Sequence, residues 1–387
     1  MDLKTLDATF VAPTYRRFPI EIVRGSGSIV YDEKGKSYID LTSGIGVTSF
    51  GVADETWQKA VTQQISLVQH MSNLYYTEPC ARLAALLCEK TGMKKVFFSN
   101  SGAEANECAI KVARKYAFDN HGEDCFTIAT LNGSFHGRTL TTLAATGQAH
   151  YHELFQPLTP GFIYIDPTME ALREAAKTHK IAALMVECIQ GEGGVVNLPQ
   201  DFLKEARVFT KEHDIVLICD EVQTGNGRTG QLYAYMNYGI EPDIVSTAKG
   251  LAGGLPLGAT LLSEKVQNTL GFGDHGSTFG GNPVCCAAAL SILQRIDEQL
   301  LAQVREKSEL LREAFQNAKG IQSVSGMGLM FGLATDRPAG EIVSALIERG
   351  VLCLTAKDKV RLLPALNIPN DTLLAAAKII KEVCAEK

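Results

Sequence analysis

Long apolar runs are missing from this chain. No uninterrupted hydrophobic stretch approaches the roughly 20 residues that a membrane-spanning helix requires, so a bilayer-embedded protein is not expected. The first residues, M-D-L-K-T-L-D-A-T-F-V-A-P, hold no basic segment leading into an apolar one, and a secretory leader is not expected either. Positive charge is not in excess: 37 Lys and Arg against 43 Asp and Glu give a formal net charge of -6. That balance argues against a nucleic-acid binder, which needs a basic surface to neutralise phosphates, and favours small-molecule ligands. Tryptophan occurs once, so the aromatic cluster of a carbohydrate-binding enzyme is lacking. The ten cysteines include no C-x-x-C and one adjacent pair, Cys285 and Cys286. Several, such as Cys108, Cys219 and Cys353, sit inside apolar runs where a thiol acts as a small hydrophobe; they read as reduced thiols of a cytoplasmic protein. His136 and the pair His150 and His152 stand without other donors at metal-ligand spacing, so no metal is expected. Internal repeats and low-complexity tracts are also missing.

What remains is ordinary globular material. Hydrophobic residues make up 45% and charged residues 21% of the 387, and that length exceeds what one hydrophobic core usually supports. Residues 15–50 alternate short strand-like runs with turns and predict a small antiparallel sheet. Beyond them strand-like and helix-like runs alternate, the pattern of an α/β chain with a mostly parallel sheet. Residues 96–99, 126–131, 162–165, 181–187, 215–219, 244–248 and 259–262 read as its strands. Two helices are predicted next, over about 283–300 and 301–319, and the remainder reads as a compact α+β unit with strands near 328–333, 351–354 and 359–363. The expected division is 1–50, 51–300 and 301–387.

Chemistry gathers at the strand ends. The apolar runs 215–219 and 244–248 are each followed at once by a charged residue, Asp220 and Lys249, and the carboxyl ends of parallel strands are where open α/β sheets bind ligands. In N-S-G-A-E-A-N a strand gives way to a helix through Ser101, Gly102 and Ala103. Free amides at a helix N-terminus attract an anion such as phosphate, although a capped helix behind a tight turn would use the same residues. In N-G-S-F-H-G-R-T, Phe135 offers a ring to stack on a planar group and Arg138 a fork for a carboxylate, unless the loop is a plain surface turn. Glu187 and Glu192, in E-C-I-Q-G-E-G-G, suit carboxylates that hold or gate cationic groups better than a glycosidase acid pair. Gly225, Gly227 and Gly230 match the dinucleotide pattern G-x-G-x-x-G. D-E-V-Q-T separates them from the strand, however, and the acids Glu241 and Asp243 follow too early, so no nicotinamide or flavin site is expected. Lys249, between Ala248 and Gly250, is unshielded by bulky neighbours and suits Schiff-base chemistry with a carbonyl. A reactive lysine, a phosphate cup, a stacking aromatic and a carboxylate at a neighbouring strand end together specify pyridoxal 5'-phosphate, whose ring nitrogen Asp220 would keep protonated.

Seven motifs now align in one order: S-N-L-Y-Y-T-E-P, F-S-N-S-G-A-E-A-N, S-F-H-G-R-T, I-Q-G-E-G-G, D-E-V-Q-T-G-N-G-R-T-G, A-K-G-L-A-G-G-L-P-L-G-A and S-T-F-G-G-N-P. Through them the chain, from about Tyr15 to its C-terminus, resembles the class III, ornithine-type aminotransferases. The resemblance implies the fold-type I architecture of pyridoxal-phosphate enzymes, with a smaller α+β domain built from both termini. It implies that Lys249 carries the cofactor, that Asp220 pairs with the ring nitrogen, and that Val222 and Phe135 take the two faces of the ring. Gln223 would lie near the phenolic oxygen, and Ser101, Gly102 and Ala103 would bind the phosphate, joined by Thr278 from the second subunit of a homodimer. Arg138 and Arg361, the latter in V-R-L-L-P-A-L, look like the family's two carboxylate-binding arginines, with Glu192 the glutamate that gates Arg361. Cys188 stands where the family usually has proline, and looser structure before Gln190 is expected. The implied reaction passes the amino group of N2-acetylornithine to 2-oxoglutarate, giving N-acetylglutamate 5-semialdehyde and glutamate, as in arginine biosynthesis. Ornithine, succinylornithine and 4-aminobutyrate are alternative donors; a non-catalytic phosphate- or nucleotide-binding protein is the alternative from another class.

Overall fold

Seven strands form the central sheet of the computed structural model, which describes residues 1–386. Their spatial order is Lys95–Ser99, Gly258–Leu262, Ile244–Thr247, Val216–Asp220, Ile181–Val186, Thr127–Leu131 and Phe162–Ile165. All run in one direction except Gly258–Leu262, which is antiparallel to both neighbours. The five strands between the two edges are buried along their whole length, the expected state of a sheet covered on both faces, which explains why they read as continuous apolar runs. Helix Gly102–His121 crosses this sheet. Ala105, Ala109, Ala113 and Ala117 recur every four residues on its buried face, and such small side chains let the helix lie close. The Thr260 hydroxyl donates to the Ala105 carbonyl at 2.7 Å and pins the start of that helix to the antiparallel strand.

Ile22–Ser26, Ile29–Asp32 and Ser37–Asp40 form the antiparallel sheet expected near the N-terminus. Val351–Leu352 joins it from the far end of the chain, parallel to Ser37–Asp40, with Val351 opposite Ile39. A further antiparallel sheet, in the order Ile321–Met327, Met330–Thr335, Lys359–Leu362 and Leu354–Ala356, packs with helices Glu298–Phe315, Ala339–Glu348 and Asn370–Ala385.

Two expectations shift. The helix predicted to run to about residue 300 stops at Leu293, and the next starts at Glu298, because the Asp297 carboxylate accepts the Leu300 amide at 2.9 Å and caps a new N-terminus. Strand Ile321–Met327 was not expected at all: its sequence I-Q-S-V-S-G-M is half polar and carries weak strand propensity. Among the described residues no helix is long and apolar enough to cross a membrane, and all ten cysteines are free thiols.

Candidate active site

A cavity of about 610 Å³ opens where the carboxyl ends of the parallel strands meet the segment that leads into Gly258–Leu262. Ser101, Gly102, Ala103, Phe135, Arg138, Glu187, Glu192, Asp220, Val222, Gln223 and Lys249 all line it. Of the expected site residues only two stand apart. Arg361 lies behind Glu192 and Gln223, and Thr278 lines a separate hollow with Asn73, Phe97 and His275.

Lys249 follows Ala248 at the end of strand Ile244–Thr247 and adopts φ +45°, in the left-handed region that costs a side-chain-bearing residue about 1–3 kcal/mol. Its neighbours hold it there. The Asn226 amide donates to the Ala248 carbonyl and to the Thr247 hydroxyl, both at 3.1 Å, and Ser49 donates to the Gly250 carbonyl at 3.2 Å. Burial pushes the Lys249 amine below its ordinary pKa. Glu192, Asp220 and Glu187 oppose that effect, while Arg361 adds to it. The consequence is a larger neutral fraction, which is the nucleophilic and basic form. The Gly225 to Gly230 run is the loop that carries Asn226; no α-helix opens from it, only the short 3-10 turn Ala234–Tyr238 further on.

Asp220 ends its strand at the cavity floor, 4% exposed. One carboxylate oxygen accepts from the Asn106 amide at 2.7 Å and from His136 Nδ1 at 2.8 Å, and the other accepts the Val222 amide at 3.0 Å. No Lys or Arg pairs with it among the described residues, and His136 Nε2 is a buried atom without a partner. Glu187, also buried, accepts the Phe135 amide at 2.9 Å and the Gly191 amide at 3.4 Å rather than a cationic side chain. Burial and the nearby Asp220 push its pKa up to about 7, against the opposing pull of His136 and the two amides. Cys188 is buried beside it, and its carbonyl accepts the Leu198 amide at 3.1 Å, so this loop is tied down without the proline.

Ser101 is the N-cap of helix Gly102–His121, its hydroxyl accepting the Glu104 amide, while the Glu104 carboxylate accepts the Asn100 amide. Gly102 is needed here: a Cβ would come within 2.5 Å of Val222. Gly137, at φ +142°, lets the Phe135 loop pass Ala103 and Thr142, where a Cβ would meet atoms at 2.9 and 2.5 Å. The two arginines differ. Arg361, 4% exposed, donates through Nη1 to Glu192 at 2.5 Å and to Gln223 at 3.1 Å, and Gln223 in turn donates to Glu192 at 3.2 Å. Burial works to raise the Glu192 pKa, but Arg361, with Lys249 and Gln223, outweighs it and the net direction is down. Arg138 is exposed, and no carboxylate lies within ion-pair distance of it among the described residues; it rests against the rings of Phe135 and Tyr151.

Asn106 and His136 were not singled out as site residues. The signal for Asn106 was a polar side chain among the alanines and Cys108 of a buried helix face; His136 stood in a quoted motif but was weighed only as a metal ligand. Tyr15 and Val47, which line the cavity, carried no sequence signal.

The residues present fit pyridoxal phosphate. Free helix N-terminal amides suit its phosphate, the buried Asp220 without a cationic partner suits a protonated ring nitrogen, and Lys249 holds an amine with a lowered pKa inside the same cavity. The sequence profile of the family "Aminotransferase class-III" matches residues 10–384. A relative named acetylornithine aminotransferase from Haemophilus ducreyi is 48% identical, over 99% of this chain and 98% of its own. A second of that name, from Methanocaldococcus jannaschii, is 42% identical over 98% and 97%. Among solved structures, ornithine aminotransferase from Toxoplasma gondii ME49 superposes with a TM-score of 0.94 at 31% identity, covering 98% of this chain and 94% of that one. N-acetylornithine aminotransferase from Stenotrophomonas maltophilia K279a gives 0.86 at 34%, covering 99% and 98%. With nearly its whole length matched in sequence and in fold, this chain belongs to the class III aminotransferases, enzymes that depend on pyridoxal 5'-phosphate.

Proposed function

We propose that this protein transfers the δ-amino group of N2-acetylornithine to 2-oxoglutarate, giving N-acetylglutamate 5-semialdehyde and glutamate, in the arginine biosynthesis of the cytoplasm. The single observation that carries this reading is the contrast between two arginines, Arg138 lining the cavity and Arg361 behind its Glu192 and Gln223 wall. Arg138 is uncommitted and Arg361 is neutralised by Glu192, so a donor with one carboxylate and an acceptor with two can use the same site in turn. The relatives named for acetylornithine support the donor.

Bound pyridoxal phosphate supplies an aldehyde that takes up the amino group and a ring that withdraws electrons from the substrate carbon. Ser101, Gly102 and Ala103 would hold the phosphate, Phe135 and Val222 would enclose the ring, and Gln223 would contact it from the same cavity wall. Asp220, fixed by Asn106 and His136, would hold a proton at the ring nitrogen. Lys249 Nζ would move a proton from the substrate carbon that bears nitrogen; burial, which lowers the pKa of the amine, favours the neutral form that can accept it. Arg138 binds the donor's carboxylate. When 2-oxoglutarate enters, Glu192 swings away and Arg361 receives its 1-carboxylate. Glu187 bounds the substrate side and fixes the Phe135 loop through its amide.

The proposed assembly is a homodimer in which Thr278 completes the partner's phosphate site. Leu74, Tyr75 and Tyr76 are 90%, 67% and 106% exposed, and Asn73 of the same loop donates to the carbonyls of Ser277 and Gly280 on either side of Thr278. An apolar patch of this kind, rigidly joined to a site residue, suits burial against a second copy. The division into 1–50, 51–300 and 301–387 is retained, the outer parts sharing one small domain. The test is a half-reaction: cofactor-loaded protein given acetylornithine without 2-oxoglutarate should release one aldehyde per site and then stop. Release of none would sink the reading.

A further inference from the structure

Tyr151 belongs to no quoted motif and does not itself line the cavity, yet it bears on the one uncommitted arginine of the site. The Arg138 guanidinium lies 4.8 Å from the centre of the Tyr151 ring and 5.6 Å from that of Phe135, and the two rings meet edge to face at 5.7 Å. Tyr151 is held in turn. The His150 ring lies 4.0 Å from it, its own amide donates to the Gln148 carbonyl at 3.1 Å, and the Gln148 side chain donates to the Ser134 carbonyl at 3.1 Å, next to Phe135. The turn that bears Tyr151 is therefore anchored to the loop that bears Arg138.

We propose that Tyr151 is a positioning residue for Arg138, and that through it the enzyme sets its preference for amine donors with a carboxylate at the far end. An exposed arginine has many rotamers, and ordering it when a carboxylate arrives opposes binding. A cation–π contact restricts the side chain in advance through its flat face, and leaves the N–H donors on its edge free for a two-pronged bond to a carboxylate. A carboxylate partner would order the arginine equally well but would consume those donors, as Glu192 does at Arg361. Phe135 is the proposed cofactor-stacking ring, so Tyr151 is the one of the two rings against Arg138 that can be replaced without removing a cofactor contact.

This inference rests on the proposal that Arg138 binds the donor carboxylate, and the test separates the two. Cofactor-loaded wild type, Tyr151→Leu and Tyr151→Phe are compared in the amine half-reaction with acetylornithine and with pentylamine, which presents an amine without a carboxylate. Tyr151→Leu should raise the KM for acetylornithine about 3–5-fold with kcat within about twofold, and leave both parameters for pentylamine unchanged. Tyr151→Phe, which keeps the ring, should match wild type within about twofold. An unchanged acetylornithine KM in Tyr151→Leu, an equal loss with both amines, or a Tyr151→Phe as impaired as Tyr151→Leu would each overturn the inference. Should Tyr151→Leu fold poorly, Tyr151→Met serves in its place at this half-exposed position. A wild type that does not favour acetylornithine over pentylamine overturns the Arg138 proposal and this inference with it; a wild type that does, with unaltered variants, overturns this inference alone.

Discussion

Removing the Glu192 carboxylate should change how the two substrates compete for the site. In the resting protein Arg361 is occupied by Glu192 and Gln223, so 2-oxoglutarate must displace a charge-assisted bond before its own carboxylate can form one. Such a bond is worth about 1.5–3 kcal/mol, and a factor of ten in affinity corresponds to about 1.4 kcal/mol. Glu192→Ala should therefore lower the KM for 2-oxoglutarate by at least about tenfold, and make glutamate a better donor in the reverse direction by a similar factor. The cost falls elsewhere. Arg361 is left buried without its counter-charge, which destabilises the unliganded protein by at most about 3–5 kcal/mol, less here because the Glu192 side chain is 27% exposed. Glu192 also raises the Lys249 pKa and Arg361 lowers it, so the variant's lysine should titrate lower still and the acid limb of the acetylornithine half-reaction should move to lower pH. Glu192→Gln, which keeps the contact to Gln223 without the charge, should fall between. Stopped-flow measurement of the two half-reactions separately supplies all of these numbers. A 2-oxoglutarate KM within twofold of wild type in Glu192→Ala would refute the gating argument.

Lys249→Ala should still bind the cofactor through its phosphate and ring contacts yet lose at least about 1,000-fold in kcat, because among the described residues no other lysine lines the cavity; turnover within tenfold of wild type would reject the assignment. Asn106→Ala removes one of two side-chain donors to Asp220, and steady-state kinetics should show a kcat about tenfold lower with little change in KM. Glu221 is buried, and desolvation pushes its pKa up to about 7 from an ordinary 4.5. A pKa higher in the folded state means that the folded protein takes up the proton more readily, so this contribution to stability grows as pH falls from about 7 toward 4.5 and is lost as pH rises back through 7. The gap corresponds to about 3 kcal/mol as an order of magnitude, and denaturation of Glu221→Gln across that window should show a flatter pH profile than wild type.

The sheet was legible because its five inner strands are buried on both faces, which wrote them as unbroken apolar runs such as V-L-I-C before Asp220. The cavity was legible for the same reason: a charge placed immediately after such a run, as at Asp220 and Lys249, stands at a strand end by necessity. Strand Ile321–Met327 escaped because half-polar edge segments carry little period-2 contrast. The partners of Asp220 escaped for another reason. Asn106 and His136 reach it from a helix and a loop that are 114 and 84 residues away in sequence, and no local pattern records such a meeting. The loop of Gly225, Gly227 and Gly230 was set aside as a false dinucleotide motif. Its Asn226 nonetheless fixes the backbone on which Lys249 stands, a role visible only once Ala248 is seen within its reach.

The donor itself is tested most directly by comparing kcat/KM for acetylornithine, ornithine, succinylornithine and 4-aminobutyrate with 2-oxoglutarate saturating. Ornithine would bring a free α-ammonium against the Arg138 guanidinium, which no carboxylate offsets among the described residues, and like charges at close range disfavour binding. 4-Aminobutyrate presents its carboxylate one carbon nearer the amine and lacks the acylated nitrogen. Acetylornithine should lead both by at least about tenfold. Equal or better turnover of ornithine or 4-aminobutyrate would contradict the account.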